Sequence, residues 1–255
     1  MSAIDPTLVR NVDLLCLDAG NTVVFLDYAR LAALLSREGF NTSPSALIGA
    51  EGQAKVAIES GELIDIEWSN AHRRAARGWG LLMATMLHRS GLAMGRLPIV
   101  LDALWAEHDR YNLWSLVPDG LGEALERVRR AGVHVAVVSN SEGILERLFE
   151  ELGISSAFDL VIDSGVVGIE KPAPGIFRIA LERFGIPADR ALHLGDTYAT
   201  DVVGARAAGI RVALIDPHGH FAGRHQGVPR VPGAPEVAHA IAAARLSPHA
   251  REIEP

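Results

Sequence analysis

The chain has 255 residues, 49% of them hydrophobic, enough to bury a sizeable core and to form one or two domains. Its formal net charge of -7 argues against a general nucleic-acid or membrane-surface binder, since both need a basic face, while a small anionic substrate answers only to local charge. Cys16 is the only cysteine, so no intramolecular disulfide can form; no run approaches the roughly 18 apolar residues of a membrane span, and Asp5 and Pro6 stand where a cationic leader would begin, so a cytoplasmic protein is expected.

The first element in chain order is the apolar run from Asp13, which ends in Asp18 and is followed by the turn formers Gly20 and Asn21. A run of this kind predicts a buried strand that delivers one carboxylate to a sheet edge. A helical pattern covers Tyr28 to Glu38. From there to about Asn112 strand signals are scarce, whereas Trp68, Ala71, Ala75, Trp79, Leu82 and Met86 recur at three- and four-residue spacing, and Pro98 is placed to open a further helix through Trp105 to His108. This predicts an all-helical insert over 28–113, between core segments 1–27 and 114–255. Past Leu116 helices and short apolar runs alternate: a helix stopped by Gly132, then strand Val133 to Val138; helix Glu142 to Leu152, then strand Leu160 to Asp163; helix Pro174 to Phe184, then strand Ala191 to Leu194; helix Thr200 to Ala208, then strand Val212 to Ile215. That alternation predicts a doubly wound, Rossmann-like parallel sheet in an α/β domain, with the site beyond the carboxyl ends of the strands.

The residues at those ends are Asp18 and Gly20, Ser139 and Asn140, Lys171, and Gly195, Asp196 and Asp201. Carboxylates that converge are costly unless a cation lies between them, and oxygen donors suit Mg²⁺. A divalent ion beside a lysine and a hydroxyl makes a pocket for a phosphoryl dianion, with Asp18 where a nucleophile would attack phosphorus.

These segments resemble the four motifs of the haloacid dehalogenase-like (HAD) hydrolase superfamily, in order and spacing: Asp18 with Thr22, Ser139 at the end of the second strand, Lys171 within GIEKPAPGIF, and Gly195-Asp196 with Asp201. The wording around Lys171 and the position of the insert are similar to the subfamily with a helical cap after the first motif. The resemblance implies that Asp18 forms an aspartyl-phosphate, that Asp18, the Gly20 carbonyl and Asp196 hold Mg²⁺ with Asp201 in support, and that Ser139, the Asn140 amide and Lys171 hold the phosphate of a small phosphorylated substrate. Thr22 fixes the turn and stands with the substrate-binding group. The chain departs from the phosphatase pattern two residues after the nucleophile, where Gly20 replaces the aspartate that protonates the leaving group. Asp27, Glu142 and residues of the cap are candidates to supply that proton.

The tyrosine of 2-haloacid dehalogenases is absent at position 20, and the metal aspartates that those enzymes lack are present, so dehalogenation is disfavoured. A phosphonatase-like enzyme has a small residue there and uses a cap lysine as a Schiff base; Lys55 is the only cap lysine, although an exposed helical lysine is the plain expectation. A degenerate member that binds a phosphorylated ligand or a protein partner without turnover is the third reading. His218, His220 and His225 fit no closed zinc pattern and predict a surface loop near the site rim. His193 is expected to be a hydrogen-bonded core residue, Arg73, Arg74 and Arg77 a solvated helix face, and Trp68, Trp79, Trp105 and Trp114 core of the insert.

Overall fold

The structure is a computed structural model and describes residues 4–246, without the side chains of Arg74 and Ala75; the outer ends of the expected core segments, 1–3 and 247–255, lie outside the described residues. In chain order the first elements are α1 (Pro6–Val9), β1 (Leu14–Leu17), β2 (Phe25–Leu26), α2 (Tyr28–Arg37), α3 (Pro44–Ser60), α4 (Arg74–Arg89), α5 (Leu97–Arg110) and β3 (Trp114–Leu116). They are followed by α6 (Leu121–Arg130), β4 (His134–Ser139), α7 (Leu145–Glu151), β5 (Leu160–Asp163), α8 (Ser164–Val167), α9 (Gly175–Phe184), β6 (Ala191–Gly195), α10 (Val203–Ala207), β7 (Arg211–Ile215), β8 (Arg230–Val231) and α11 (Ala234–Leu246).

Six strands form one parallel sheet in the order β5-β4-β1-β6-β7-β8. Every residue of β1 and β6 is buried, which is why these strands read as continuous apolar runs rather than alternating ones. From β1 the chain moves to one side through β4 and β5, then returns past β1 to β6, β7 and β8, so its order reverses at β1. Leu17 lies opposite both Val137 and Leu194. This register brings the residues just beyond β1, β4 and β6 to one edge, where such sheets place their sites.

The chain divides into two units. Among the described residues, one comprises those up to Phe25, Val117–Pro217 and those from His225 onward, and holds the six-stranded sheet; the other comprises Leu26–Leu116 with His218–Arg224 and is mainly helical. The sequence reading kept 218–224 with the core. In the structure Arg224 pairs with Glu59 at 2.9 Å, the ring of His218 meets that of Tyr28 edge-on at 6.3 Å, and the ring of His220 lies so close to α3 that a Cβ at Gly52 would approach it to 2.7 Å.

Several elements differ from the expected ones. Periodicity predicts a helix from Trp68, but α4 begins at Arg74. The Ser69 N–H and hydroxyl both donate to Asp102, at 3.2 and 2.8 Å, and hold the segment before α4 in successive turns. Trp68 nevertheless packs on Trp79 and Trp105, with ring centroids 5.8 and 5.9 Å away, so its spacing reports the core and not the helix. The helix expected from Glu142 begins at Leu145, because Asp163 accepts hydrogen bonds from the Gly143 and Leu145 N–H groups at 3.0 and 3.2 Å and holds that loop open. The helix expected over Thr200 to Ala208 opens as a π turn, Tyr198–Val202. Strand β8 and helix α11 were not foreseen. No helix among the described residues is long and apolar enough to cross a membrane.

Candidate active site

Asp18 directly follows β1, and its N–H donates to the Leu194 carbonyl at 2.8 Å, so the ladder to β6 fixes where its carboxylate emerges. Oδ1 accepts the Ala19 N–H at 2.8 Å and lies 2.7 Å from Lys171 Nζ. The chain then folds back on itself: Ala19 O accepts from Thr22, Val23 and Val24. Asn21 sits at φ 52°, a left-handed conformation that asparagine tolerates better than most side chains. From there its Nδ2 donates to Asp196 Oδ2 at 3.0 Å. Thr22 is fully buried inside this turn, and its hydroxyl has no hydrogen-bond partner among the described residues.

Lys171 Nζ lies between two carboxylates, 2.7 Å from Asp18 Oδ1 and 2.6 Å from Asp201 Oδ1. Burial alone would lower its pKa, but the charges of Asp18 and Asp201 outweigh this and raise it, so the ammonium is permanent. Asn140 holds the Lys171 backbone at two points: its Oδ1 accepts the Lys171 N–H at 2.7 Å and its Nδ2 donates to the Lys171 carbonyl at 3.0 Å. The Asn140 side chain is thereby committed to Lys171, which leaves the backbone N–H as the Asn140 amide that could meet a phosphate. Ser139 ends β4 and is buried.

Asp196 follows β6 and accepts from Asn21 and, at 3.2 Å, from the Thr197 hydroxyl. Asp201 is wholly buried. It accepts from Lys171 Nζ at 2.6 Å, His193 Nε2 at 2.9 Å and the Thr197 N–H at 3.0 Å. Burial would raise its carboxyl, but the Lys171 charge and the His193 hydrogen bond overcome it and hold the group well below the usual carboxylate range. Only glycine fits at position 195, since a Cβ there would stand 2.2 Å from Asp201 Cγ.

Oxygens of Asp18, Asp196 and Asp201 all lie within 4.8 Å of one another, and three buried carboxylates with one lysine leave a net negative charge. Burial, together with Asp201 and Asp196 and against the pull of Lys171, pushes Asp18 up to about 7. This is the chemistry of a hard-cation site, and Mg²⁺ fits it. With its oxygens already taking N–H donors, Asp201 suits a supporting position, which leaves Asp18 and Asp196 as the side chains that would hold the ion.

The other residues singled out by the sequence fall as follows. Lys55 is not exposed: it is buried on α3 with its Nζ 3.5 Å from Glu51 Oε2, which also accepts from the Tyr28 hydroxyl at 2.6 Å. Glu142, in the loop after Asn140, has its carboxyl pushed up to about 6 by burial. Asp27 caps α2 by accepting the Arg30 N–H at 2.8 Å. Among the described residues the three histidines form no metal cluster; His225 stacks on Tyr198 at 3.6 Å. Trp68, Trp79 and Trp105 are buried core of the helical unit, and Arg73 and Arg77 are exposed. Asn21, Thr197 and Asp163 were missed as site residues, and only Asn21 carried a signal, an asparagine where the turn needs positive φ.

Fold and site together define a hydrolase built on a Rossmann-like sheet with three buried carboxylates and a lysine at its edge. The model of the haloacid dehalogenase-like hydrolase family matches residues 12–209, and the chain belongs to that family. It is 36% identical over 114 residues to haloacid dehalogenase-like hydrolase domain-containing protein 3 of Xenopus laevis, covering 45% of this chain and 46% of that one. It is 38% identical over 133 residues to a phosphoserine phosphatase of Thermus thermophilus, covering 51% of each. The chain thus spans about half the length of these curated relatives. Among solved structures, the HAD-hydrolase YfnB of Bacillus subtilis, bound to magnesium, superposes with a TM-score of 0.64 at 17% identity, over 90% of this chain and 98% of that one.

Proposed function

We propose that the chain is a Mg²⁺-dependent cytoplasmic phosphatase that acts on a small phosphorylated metabolite through an aspartyl-phosphate at Asp18. The observation that carries this reading is the Lys171 ammonium, shared between Asp18 and Asp201 at 2.7 and 2.6 Å, with Asp196 held beside them by Asn21. The phosphatase relative supports the same reaction class. A buried Cys16 that is the only cysteine suits a reducing compartment.

Asp18 Oδ1 is engaged by Ala19 and Lys171, so Oδ2 is the attacking atom. It forms a bond to phosphorus as the bond from phosphorus to the leaving oxygen breaks. Water then attacks phosphorus, the bond to Asp18 breaks, and inorganic phosphate leaves. Lys171, Ser139 and the Asn140 N–H balance the phosphoryl oxygens. Asp18, the Gly20 carbonyl and Asp196 would hold Mg²⁺, which when bound would supply positive charge to offset that of the phosphoryl oxygens. Splitting one displacement into two in this way is the usual gain of covalent catalysis.

Gly20 supplies no acid to the leaving oxygen. General acid–base help is typically worth on the order of 10² to 10⁴ in rate, so aryl and acyl phosphates are the favoured substrates. Of the two carboxylates named from the sequence, Asp27 is occupied as a helix cap, whereas Glu142, raised to about 6, is matched to proton transfer near neutral pH. The phosphonatase reading loses support with Lys55 held in an ion pair with Glu51. The retained Asp18, Lys171, Asp196 and Asp201 weigh against binding without turnover. A panel of phosphate esters tested with Mg²⁺ decides: hydrolysis of an aryl phosphate that is lost in Asp18→Asn and on chelation is the expected result, and activity that survives either treatment contradicts the mechanism.

A further inference from the structure

His193 lies in the middle of β6, opposite Cys16 on β1 and Val212 on β7 and flanked by Leu192 and Leu194. Packing at this position calls for an apolar side chain, as all four neighbours are. An imidazole wholly removed from water is costly unless it is hydrogen-bonded. Its Nε2 lies 2.9 Å from Asp201 Oδ1, the same oxygen that accepts Lys171 Nζ at 2.6 Å. Since Asp201 is ionised, the acceptor fixes the tautomer with the proton on Nε2. The face of the ring is set by Phe177, edge-on at 4.9 Å.

We propose that His193 is a positioning residue for Lys171, acting through Asp201. The chain of contacts runs from His193 Nε2 to Asp201 Oδ1, to Lys171 Nζ, to Asp18 Oδ1. Asp201 can present Oδ1 to the lysine in one orientation only if something fixes the rotation of its carboxylate. The Thr197 N–H holds Oδ2 at 3.0 Å, and His193 holds Oδ1. Without the imidazole, that oxygen keeps a single donor and the lysine follows it. Misplacement of a charged group by about 1 Å can cost on the order of 100-fold in rate.

The chain has two lysines, Lys55 and Lys171, so lysine-selective isotope labelling gives two side-chain NMR signals, assigned with Lys55→Arg. His193→Leu is expected to move the Lys171 signal and leave that of Lys55 in place. His193→Gln, whose amide can donate from the position of Nε2, should bring it back. For the activity arm, which rests on the phosphatase reading, kcat on an aryl phosphate should fall about 10- to 100-fold in His193→Leu with KM little changed, and recover in His193→Gln. A Lys171 signal that stays put in folded His193→Leu overturns the proposal, as does a displacement that His193→Gln fails to reverse, which is what disrupted packing alone would give. Should His193→Leu not fold, the His193→Gln spectrum decides: a native Lys171 position supports the proposal and a shifted one overturns it. If the native protein hydrolyses no phosphate ester, the phosphatase reading fails, and the spectra still decide the role of His193.

Discussion

Asp18 bears the cost of the site. In the metal-free protein its carboxyl is pushed up to about 7 from 3.8, chiefly by burial. The folded chain therefore holds a proton there that the unfolded chain has already released. The corresponding stability is present below pH 3.8 and is lost as the pH rises through about 7, an effect on the order of a few kcal/mol. We predict that Asp18→Asn, while abolishing turnover, raises the melting temperature of the metal-free protein at neutral pH by several degrees and that this advantage over the native protein shrinks as the pH is lowered from 7 to 4; thermal scans of both proteins across that range check it. Asn21 gives a second prediction. Asn21→Gly keeps the positive φ and removes the side chain that holds Asp196, so calorimetry should show Mg²⁺ affinity about tenfold weaker or more. Gly20 gives a third: rates on a series of phosphate esters should fall steeply as the leaving-group pKa rises, and Gly20→Asp should flatten that dependence. A shallow slope in the native protein would mean that another residue, with Glu142 the first to test, delivers the proton.

At the level of elements, β1, β4, β6 and β7 were legible because burial on both faces leaves a short apolar run, which its length and the flanking turn residues mark as strand; the two-residue β8 leaves no such run. The helical unit was less so. Its tryptophan spacing is set by a shared core, and the turn segment before α4 contributes Trp68 to that core as readily as α4 contributes Trp79. His108 sits among these rings, 5.4 Å from Trp79 and 5.5 Å from Trp105, with its Nδ1 accepting the Leu113 N–H at 3.2 Å. Burial, with the nearby charge of Arg30, lowers it to about 4. The unfolded chain takes up this proton near pH 6.5, so the stability that neutral His108 contributes is present above 6.5 and is lost as the pH falls through about 4. The predicted loss approaches about 3 kcal/mol. Asp18 acts with the opposite sign over the same range, so the His108 slope is read as a difference: between pH 4 and 7 the stability of the native protein in urea unfolding should gain on that of His108→Asn, which retains an acceptor for Leu113, as the pH rises.

For the whole molecule, the sheet order explains why residues scattered from Asp18 to Asp201 meet: reversal at β1 brings the ends of β1, β4 and β6 to one edge. Motif spacing made the charged members of the site legible, because Asp, Lys and Asp at strand ends have few reasons to be buried other than one another. The partners that orient them were not legible, since Asn21 reads as a turn former, Thr197 as an ordinary loop residue and His193 as core. Their roles depend on which oxygen each one faces, and only the folded register decides that. The 218–224 segment is a similar case. Its glycines and histidines read as a loop, and its place with the helical unit depends on Glu59, Gly52 and Tyr28, which lie far off in sequence.

If Asp18 itself carries the phosphoryl group during turnover, the covalent intermediate can be trapped. The most direct measurement mixes the protein with Mg²⁺ and an excess of aryl phosphate, quenches in acid within the first turnovers and maps the peptides by mass. The expected result is a phosphoryl adduct on the peptide that contains Asp18, lost on hydroxylamine treatment and absent from Asp18→Asn. Steady turnover with no adduct on that peptide, or with the adduct on another residue, would contradict it.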